Sequence, residues 1–495
     1  MHRDPILVIG AGAGGLAAAM LLAARGLPVI LLEAAAKVGG KMSTLSVGGR
    51  SIDAGPTVLT MLPVFEQLFA DCGHDLGSAV ALTRADVLAR HAWTEHERLD
   101  LFADRARSAD AIGDFAGVAA RRGYLAFCEH ARGVYQTMDP IFMRAEKPSP
   151  AGMVKAAGLS GLKGLWSSAP FTTLWDQLGT YFPDPRLRQL FGRYATYCGS
   201  SPFLAPATLA LIAHVEQDGV WQVRGGMAAF AAALGEAART AGVDIRTSSE
   251  VREIIVRDNA ASGVRLASGE EIPAQVVIAA TDVGALATGH YGRAAGAAVA
   301  NDAMQPRSLS AATWGFVARA SGFPLAHHSV FFSRDCAREF GDLIDRRRWP
   351  EEPTVYVCAQ DRTSDGHLDT PSERLFVIVN APADAGRSLA SSQEIRQCET
   401  AMIRTLERCG LRLEIEAREH AGPETFARRF PGTDGAIYGM ASHGWTASFR
   451  RPGSRSRIPR LYLAGGSVHP GAGVPMATLS GRAAALAVIA DLAST

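Results

Sequence analysis

The chain has 495 residues, 47% of them hydrophobic and 20% charged, with a formal net charge of +1. That length exceeds one ordinary core, so two domains are expected, and the charge balance excludes a field strong enough to steer the chain to nucleic acid. The seven cysteines are odd in number, scattered and without C-x-x-C spacing, which argues against a disulfide framework or a metal site and for a reducing compartment.

No uncharged stretch reaches the ~20 residues of a membrane span. The apolar N-terminal run carries Arg25 and Glu33, with no cleavage-like site after it. A chain that is soluble or attached to a membrane surface is therefore expected.

The first element is "ILVIG", a short apolar run rich in branched residues, which reads as a buried parallel strand. Gly10, Gly12, Gly14 and Gly15 follow in a G-x-G-x-x-G turn, then the helix formers "LAAAMLLAAR" and a stop at Gly26. A second strand, "PVILLE", ends in Glu33, roughly 20 residues past the first glycine, where a βαβ unit brings an acid to ribose hydroxyls. Gly10 serves the tight turn, Gly12 the approach of backbone to a pyrophosphate, and Gly15 close packing of helix on strand. The helix N-terminus offers free N–H groups and partial positive charge to phosphate. Beyond it, Gly39, Gly40 and Lys41 suit a chain running under an extended cofactor. Asp53, Gly55, Pro56 and Thr57 in "IDAGPT" suit a turn that holds backbone near a ring. An ordinary β-hairpin around Gly48 and Gly49 is the equal alternative for this stretch.

Residues 76–219 read as mostly helical. Within them "SPAGMVKAAGLSGLKGLWSSAPFTTLW" is apolar and glycine-interrupted and carries Lys155, Lys163, Trp166 and Trp175. It reads either as a helical cap over an internal pocket or as an interfacial membrane contact. From residue 220 the character changes. Gly225-Gly226-Met227 opens a helix ending near Gly242, and short strands follow. Val251 falls where backbone can meet an adenine, and Asp282 follows the strand "VVIAAT". The chain thus returns to its first domain, giving a discontinuous division. Residues 1–75, 220–298 and 455–495 form one domain; 76–219 and 299–454 form the other.

The last unit, "LYLAGGSVHPGAGVP", is again a strand, a glycine turn and an apolar helix, with Gly465, Gly466, Gly473, Val474, Pro475 and Met476 at the turn. Pro475 falls near the first helical position, where proline is tolerated best. One such unit holds a dinucleotide phosphate. A second suits a longer cofactor, with the positive end of its helix toward the pyrimidine side of a flavin.

These residues, with the middle "GVWQVRGGM", resemble the phytoene desaturase family of FAD-dependent carotenoid desaturases over the whole length. The "AGGSVHPGAGVPMATLSG" form is most similar to the 1-hydroxycarotenoid 3,4-desaturases, with Val468 before His469 and Met476 after Pro475 as departures from the commoner family pattern. The resemblance implies an α/β architecture: a Rossmann-type FAD-binding domain built from discontinuous segments, and a substrate domain with a mixed sheet and a helical cap. It implies a lipophilic carotenoid substrate, and a quinone or oxygen as electron acceptor. It also implies peripheral attachment at the cytoplasmic side of a photosynthetic membrane. It carries cofactor contacts to Gly10, Gly12, Gly15, Glu33, Gly40, Lys41, Gly55, Pro56, Thr57, Val251, Gly466 and Met476.

The proton acceptor is not readable. His469 is a candidate because histidine titrates near neutral pH, and Asp139 because an acid in an apolar setting has a raised pKa. Each has a bland alternative, a turn hydrogen bond and a cap or surface turn. His443 beside Trp445 reads as a structural or substrate-lining pair. Phytoene desaturase proper and a flavin amine oxidase are the rival activities, and a cofactor-free chaperone of prenylated GTPases shares the fold.

Overall fold

The structure, a computed structural model, describes residues 4–301, 303–363, 366–383 and 392–494. A parallel sheet is built from β1 (Ile6–Ile9), β2 (Val29–Leu32), β3 (Asp244–Arg246), β4 (Val276–Ala279) and β5 (Leu461–Leu463). Its spatial order is β5-β4-β1-β2-β3, so the first and last thirds of the chain share one sheet. Strands buried on both faces must be apolar throughout, and β1, β4 and β5 are fully buried along their length. On one face lie α1 (Ala13–Ala23), α2 (Gly226–Thr240) and α3 (Val474–Ala493). The other face packs on a three-stranded antiparallel sheet, Val251–Arg257, Ala260–Leu266 and Glu271–Pro273.

The chain reverses its direction of growth at β1, with β2 on one side and β4 on the other. In open α/β sheets the crevice past the carboxyl ends of such strands is where ligands bind. The glycine turns at Gly10 and at Gly465 leave from the carboxyl ends of β1 and β5.

α1 and α3 touch through glycine. A Cβ added to Gly481 would lie 2.0 Å from the carbonyl oxygen of Gly14, and one on Gly14 would lie 2.9 Å from the Cα of Gly465. The two glycine turns are therefore neighbours. α3 is long and apolar enough by composition to cross a membrane. In the fold it is a core helix, with Val474, Leu479, Ala484, Ala485 and Val488 buried, and Asp491 pairs with Arg455 at 2.8 Å.

The second sheet has seven strands, in the order 412–421, 310–321, 373–381, 355–359, 328–331, 87–92 and 98–102. It is mixed, because 328–331 runs parallel to 87–92 while the other pairs are antiparallel. Its last two strands come from the region that reads as helical in the sequence. "VLARHA" and "RLDLF" lack long alternation; 328–331 offers the first an edge, and the second pairs with the first as a hairpin. Helices from Arg105 to Asp218 cap this sheet. Phe127, Phe182, Leu187, Leu190 and Phe191 of the cap pack with Val330 and Phe332 of the sheet.

Candidate cofactor and substrate site

At the end of β1 the chain turns into α1 with Gly12 at the N-cap and no side chain capping the helix. A Cβ on Gly12 would meet nothing within 4 Å, while one on Gly15 would lie 1.9 Å from the carbonyl oxygen of Gly10. Gly15 thus packs helix on strand, and Gly12 faces open space with unclaimed N–H groups around it, the arrangement that binds phosphate. Gly14 makes the contact with Gly465.

Glu33 stands at the end of β2. Its carboxylate accepts from the N–H of Ala11 at 2.7 Å and from that of Ala35 at 2.8 Å. It is locked beside the first turn and remains half-buried. The N–H of Ser249 donates to the Glu33 carbonyl at 2.8 Å, which brings the segment before Val251 alongside. The Val251 side chain is in the core, 3% exposed.

The N–H of Gly39 donates to the Ala11 carbonyl at 2.8 Å, and Gly40 packs on Gly12. Lys41 donates from Nζ to the Ile437 carbonyl at 2.7 Å and lies over the Phe430 ring. Burial pushes its pKa down, against the pull of Asp282. Asp282 leaves β4, accepts from the Gly284 N–H at 2.9 Å, and has its pKa raised by burial despite Lys41, Arg307 and Arg451 nearby.

Residues Thr44–Val47 and Arg50–Asp53 form the hairpin that was the alternative for this stretch. The Asp53 side chain is taken up within the protein. Its carboxylate accepts from the N–H groups of Met227 and Ala228 and so caps α2, a partner from far along the chain. Gly55 packs on Lys41, where a Cβ would lie 1.9 Å from the lysine carbonyl oxygen. Pro56 and Thr57 are half-buried, and Thr57 Oγ1 is 2.7 Å from the Tyr356 hydroxyl.

The second turn leaves β5 at Gly465 and Gly466 and enters α3 through Gly473, again without a side-chain cap. Ser467 Oγ accepts from the Val283 N–H at 3.0 Å, tying this turn to the exit of β4. Val474 is buried. Met476 packs with Met61, Val64, Met143 and Leu479. Arg451, which carries no local signal in the sequence, is buried against the turn and donates to the Met440 carbonyl at 2.7 Å.

Neither acid–base candidate keeps its expected setting. His469 is 1% exposed, and its Nε2 is 2.8 Å from the Phe142 carbonyl. Burial lowers its pKa to about 4, so it is neutral at physiological pH rather than titrating there. Asp139 is not an isolated acid in an apolar setting. It pairs with Arg144 at 2.8 Å, in the same helical turn as Phe142. His443 is half-buried beside the exposed Trp445, with its pKa lowered by burial.

The hollow around these residues is visible in their surroundings. Arg193, Tyr197, Tyr356 and Tyr438 are half-buried, and the Lys41 side chain is exposed although protein groups crowd it. They line interior space between the glycine turns and the second sheet. Two uncapped helix N-termini, open space at Gly12 and the Lys41 cation beside the first turn fit a long dinucleotide with two anionic regions.

Residues 172–489 match the family described as flavin containing amine oxidoreductase, and residues 8–72 match the NAD(P)-binding Rossmann-like domain. The chain is 50% identical to a hydroxyneurosporene desaturase of Rubrivivax gelatinosus, covering 100% of this chain and 94% of that one. It belongs to the carotenoid desaturases of the flavin amine oxidoreductase family. A hydroxyneurosporene desaturase of Cereibacter sphaeroides is 43% identical over 99% of this chain and 98% of its own length. The fold is shared with an oxidoreductase from Methanosarcina mazei, at a TM-score of 0.62 and 16% identity, covering 98% of this chain and 100% of that one. As a carotenoid desaturase the chain is an FAD-dependent oxidoreductase, and the fit of the two glycine turns to a flavin dinucleotide agrees with that membership.

Proposed function

We propose that this desaturase introduces the C-3,4 double bond into acyclic 1-hydroxycarotenoids of the 1-hydroxyneurosporene type. The observation that carries the reading is the full-length likeness, at 50% identity, to a hydroxyneurosporene desaturase. The flavin, when bound, supplies the oxidant that takes up a hydride from the substrate. The protein does the rest.

The cofactor is assigned to segments 1–75, 220–298 and 455–495. The α1 N-terminus with Gly12 takes the pyrophosphate. Glu33 and the segment at Val251 take the ribose and adenine end. Lys41, Gly55 to Thr57, and the turn from Gly465 to Met476 hold the ring end. The substrate domain orients the polyene and excludes water. A cation developing beside a polyene is delocalised along it, so proton loss needs no strong base, and no side chain is assigned to that task.

A bilayer-dissolved substrate needs a path to the site. Trp166 is 79%, Phe171 68% and Trp445 42% exposed, and the rings of Phe171 and Trp445 are 5.3 Å apart. Trp175, by contrast, is half-buried against Arg188 and Phe203 and is no part of this patch. Lys155 is exposed, and the side chain of Lys163 lies outside the described residues. From Trp445 ring contacts continue through Phe449 and Phe142 to His469 in the second glycine turn. This aromatic line supports peripheral attachment to a membrane, with the substrate passing along it to the flavin. A quinone in the same membrane, or oxygen, is the proposed acceptor.

The test is incubation of the FAD-loaded enzyme with 1-hydroxyneurosporene in liposomes and a quinone. A red shift of the carotenoid spectrum is expected. Activity on phytoene alone would move the enzyme to the phytoene desaturases.

A further inference from the structure

A tunnel for a hydrocarbon has no need of buried polar groups, yet the hollow has a polar wall. Thr57 Oγ1 is 2.7 Å from the Tyr356 hydroxyl, which is 2.7 Å from His328 Nδ1. Beside this relay stand Arg193, close enough to press electrostatically on both Tyr356 and His328, and Tyr197. The Tyr197 hydroxyl donates to Glu216 at 3.2 Å. Arg193 Nε and His328 Nε2 are buried and have no hydrogen-bond partner among the described residues. Such groups are costly when left unpaired, so their retention in a cavity for a polyene asks for a polar ligand atom.

Position narrows that atom. Thr57 belongs to the loop assigned to the ring end of the flavin, so the relay opens beside the reacting bond. In a 1-hydroxycarotenoid the hydroxyl carbon is separated from C-3 by a single methylene. The hydroxyl must then lie within a few ångströms of the ring, where the relay stands. Whichever way the relay protons run, Thr57 ends it with an open valence. If Tyr356 donates to Thr57, the Thr57 hydroxyl hydrogen is free; if Thr57 donates to Tyr356, its lone pairs are free.

We propose that the Thr57–Tyr356–His328 relay, flanked by Arg193 and Tyr197, binds the tertiary hydroxyl of the substrate and sets the preference for hydroxylated over hydrocarbon polyene ends. The assignment rests on the proposed function. It makes these residues determinants of specificity by binding, and none of them a proton acceptor in the reaction.

The experiment uses FAD-loaded wild type, Tyr356→Phe, Tyr197→Phe and Arg193→Met, with 1-hydroxyneurosporene and neurosporene as paired substrates in liposomes. It reads kcat/KM and, by quenching of tryptophan fluorescence, equilibrium binding of each carotenoid. Wild type is expected to prefer the hydroxylated substrate by at least about tenfold, since a site built to hydrogen-bond a hydroxyl rejects the analogue lacking it. Each variant is expected to lose about 5- to 30-fold on 1-hydroxyneurosporene, in binding and in kcat/KM, and to stay within about twofold on neurosporene. Tyr197→Phe reads the same quantity without touching the ring-side loop, in case Tyr356→Phe loosens it. Variants that lose both carotenoids equally, or neither, overturn the assignment while leaving the proposed function standing. A wild type that neither binds nor turns over the hydroxylated carotenoid in preference overturns both.

Discussion

The contact between α1 and α3 makes the sharpest prediction, because it lets backbone from the two ends of the chain meet. The perturbation is Gly481→Ala. Its new Cβ would lie 2.0 Å from the Gly14 carbonyl oxygen and 2.8 Å from the Gly14 carbonyl carbon, and ordinary contact begins at 3.4 Å. The obstruction is backbone inside a helix, so no rotamer change relieves it and the two helices must separate by about 1 Å or more. Overpacking in a core costs about 1–3 kcal/mol. A collision with main chain belongs at the top of that range, and about 3 kcal/mol is a factor of about 150 in the folding equilibrium. Separation also draws Gly465 away from Gly14, widening the groove between the two turns. Gly481→Ala is therefore expected to lower Tm by several degrees and to be purified with a smaller fraction of bound flavin, read from flavin absorbance against protein. The control is Gly133→Ala, at an exposed helical position where a Cβ meets nothing within 4 Å. That change should stabilise by about 0.5–1 kcal/mol. A Gly481→Ala protein with the flavin content and Tm of wild type would refute the close approach, and with it the clasp of one cofactor by both ends.

Asp53→Ala removes the cap of α2 and should cost about 1–2 kcal/mol in chemical denaturation, with Asp53→Asn losing less. Glu373 is fully buried and forked to Arg362 at 2.7 and 2.6 Å, so Glu373→Gln leaves a guanidinium without its countercharge; a loss of about 3–5 kcal/mol is expected, and a loss under 1 kcal/mol would contradict the pairing. Burial depresses the pKa of His91 to about 3 and of His469 to about 4. The unfolded chain takes up these protons below about pH 6.5 while the folded chain does not, so stability is full above that pH and falls toward pH 4, by about 2 kcal/mol per histidine at pH 5. Denaturation midpoints at pH 7 and pH 5 check this, and replacing both histidines with asparagine should shrink the difference, the rest coming from other buried histidines such as His328. Trp166, Phe171 and Trp445 changed together to serine should leave Tm nearly untouched and reduce co-sedimentation with vesicles; equal binding would sink the membrane face.

The two glycine units were legible because their signals are local. A buried strand, a glycine turn and an apolar helix lie within some twenty residues of each other, and the physics that joins them acts at that range. Their convergence was an inference from cofactor length, and the sheet order β5-β4-β1 supplies the geometry for it. What was not legible depends on partners far along the chain. Nothing local in the sequence shows that the Asp53 carboxylate caps α2, which begins at residue 226. The strand at 87–92 reads as part of a helical region because its neighbour 328–331 lies more than two hundred residues away, and 98–102 then adds to it as the edge. The setting of His469 is equally non-local, since the atoms that bury it include Phe142. Arg144 stands five positions past Asp139, outside the three- or four-residue spacing of α-helical pairs, and reaches it because residues 139–143 wind as a π-turn.

The segment from Lys41 to Thr57 joins the two sheets, and it is held from both sides. Asp53 caps α2 on the cofactor side. From the other side Gln360 takes hold of the same residue twice: the Asp53 N–H donates to Gln360 Oε1 at 3.0 Å, and Gln360 Nε2 donates to the Asp53 carbonyl at 2.9 Å. Arg374 donates to the Ser51 carbonyl at 2.7 Å, and Tyr356 meets Thr57 at the end of the run. Strand 355–359 and its immediate continuation thus fix the ring-side loop through residues four apart, Tyr356 and Gln360, and the strand at 373–381 adds Arg374. Hydride transfer demands that the reacting carbon and the ring be held to a fraction of an ångström, and misplacement by about 1 Å costs about a hundredfold in rate. The second sheet and the loop from Ser51 to Thr57 are thus tied into one unit. On the proposed assignment of that loop to the ring end, the sheet that carries Tyr356 also sets the distance between substrate and ring.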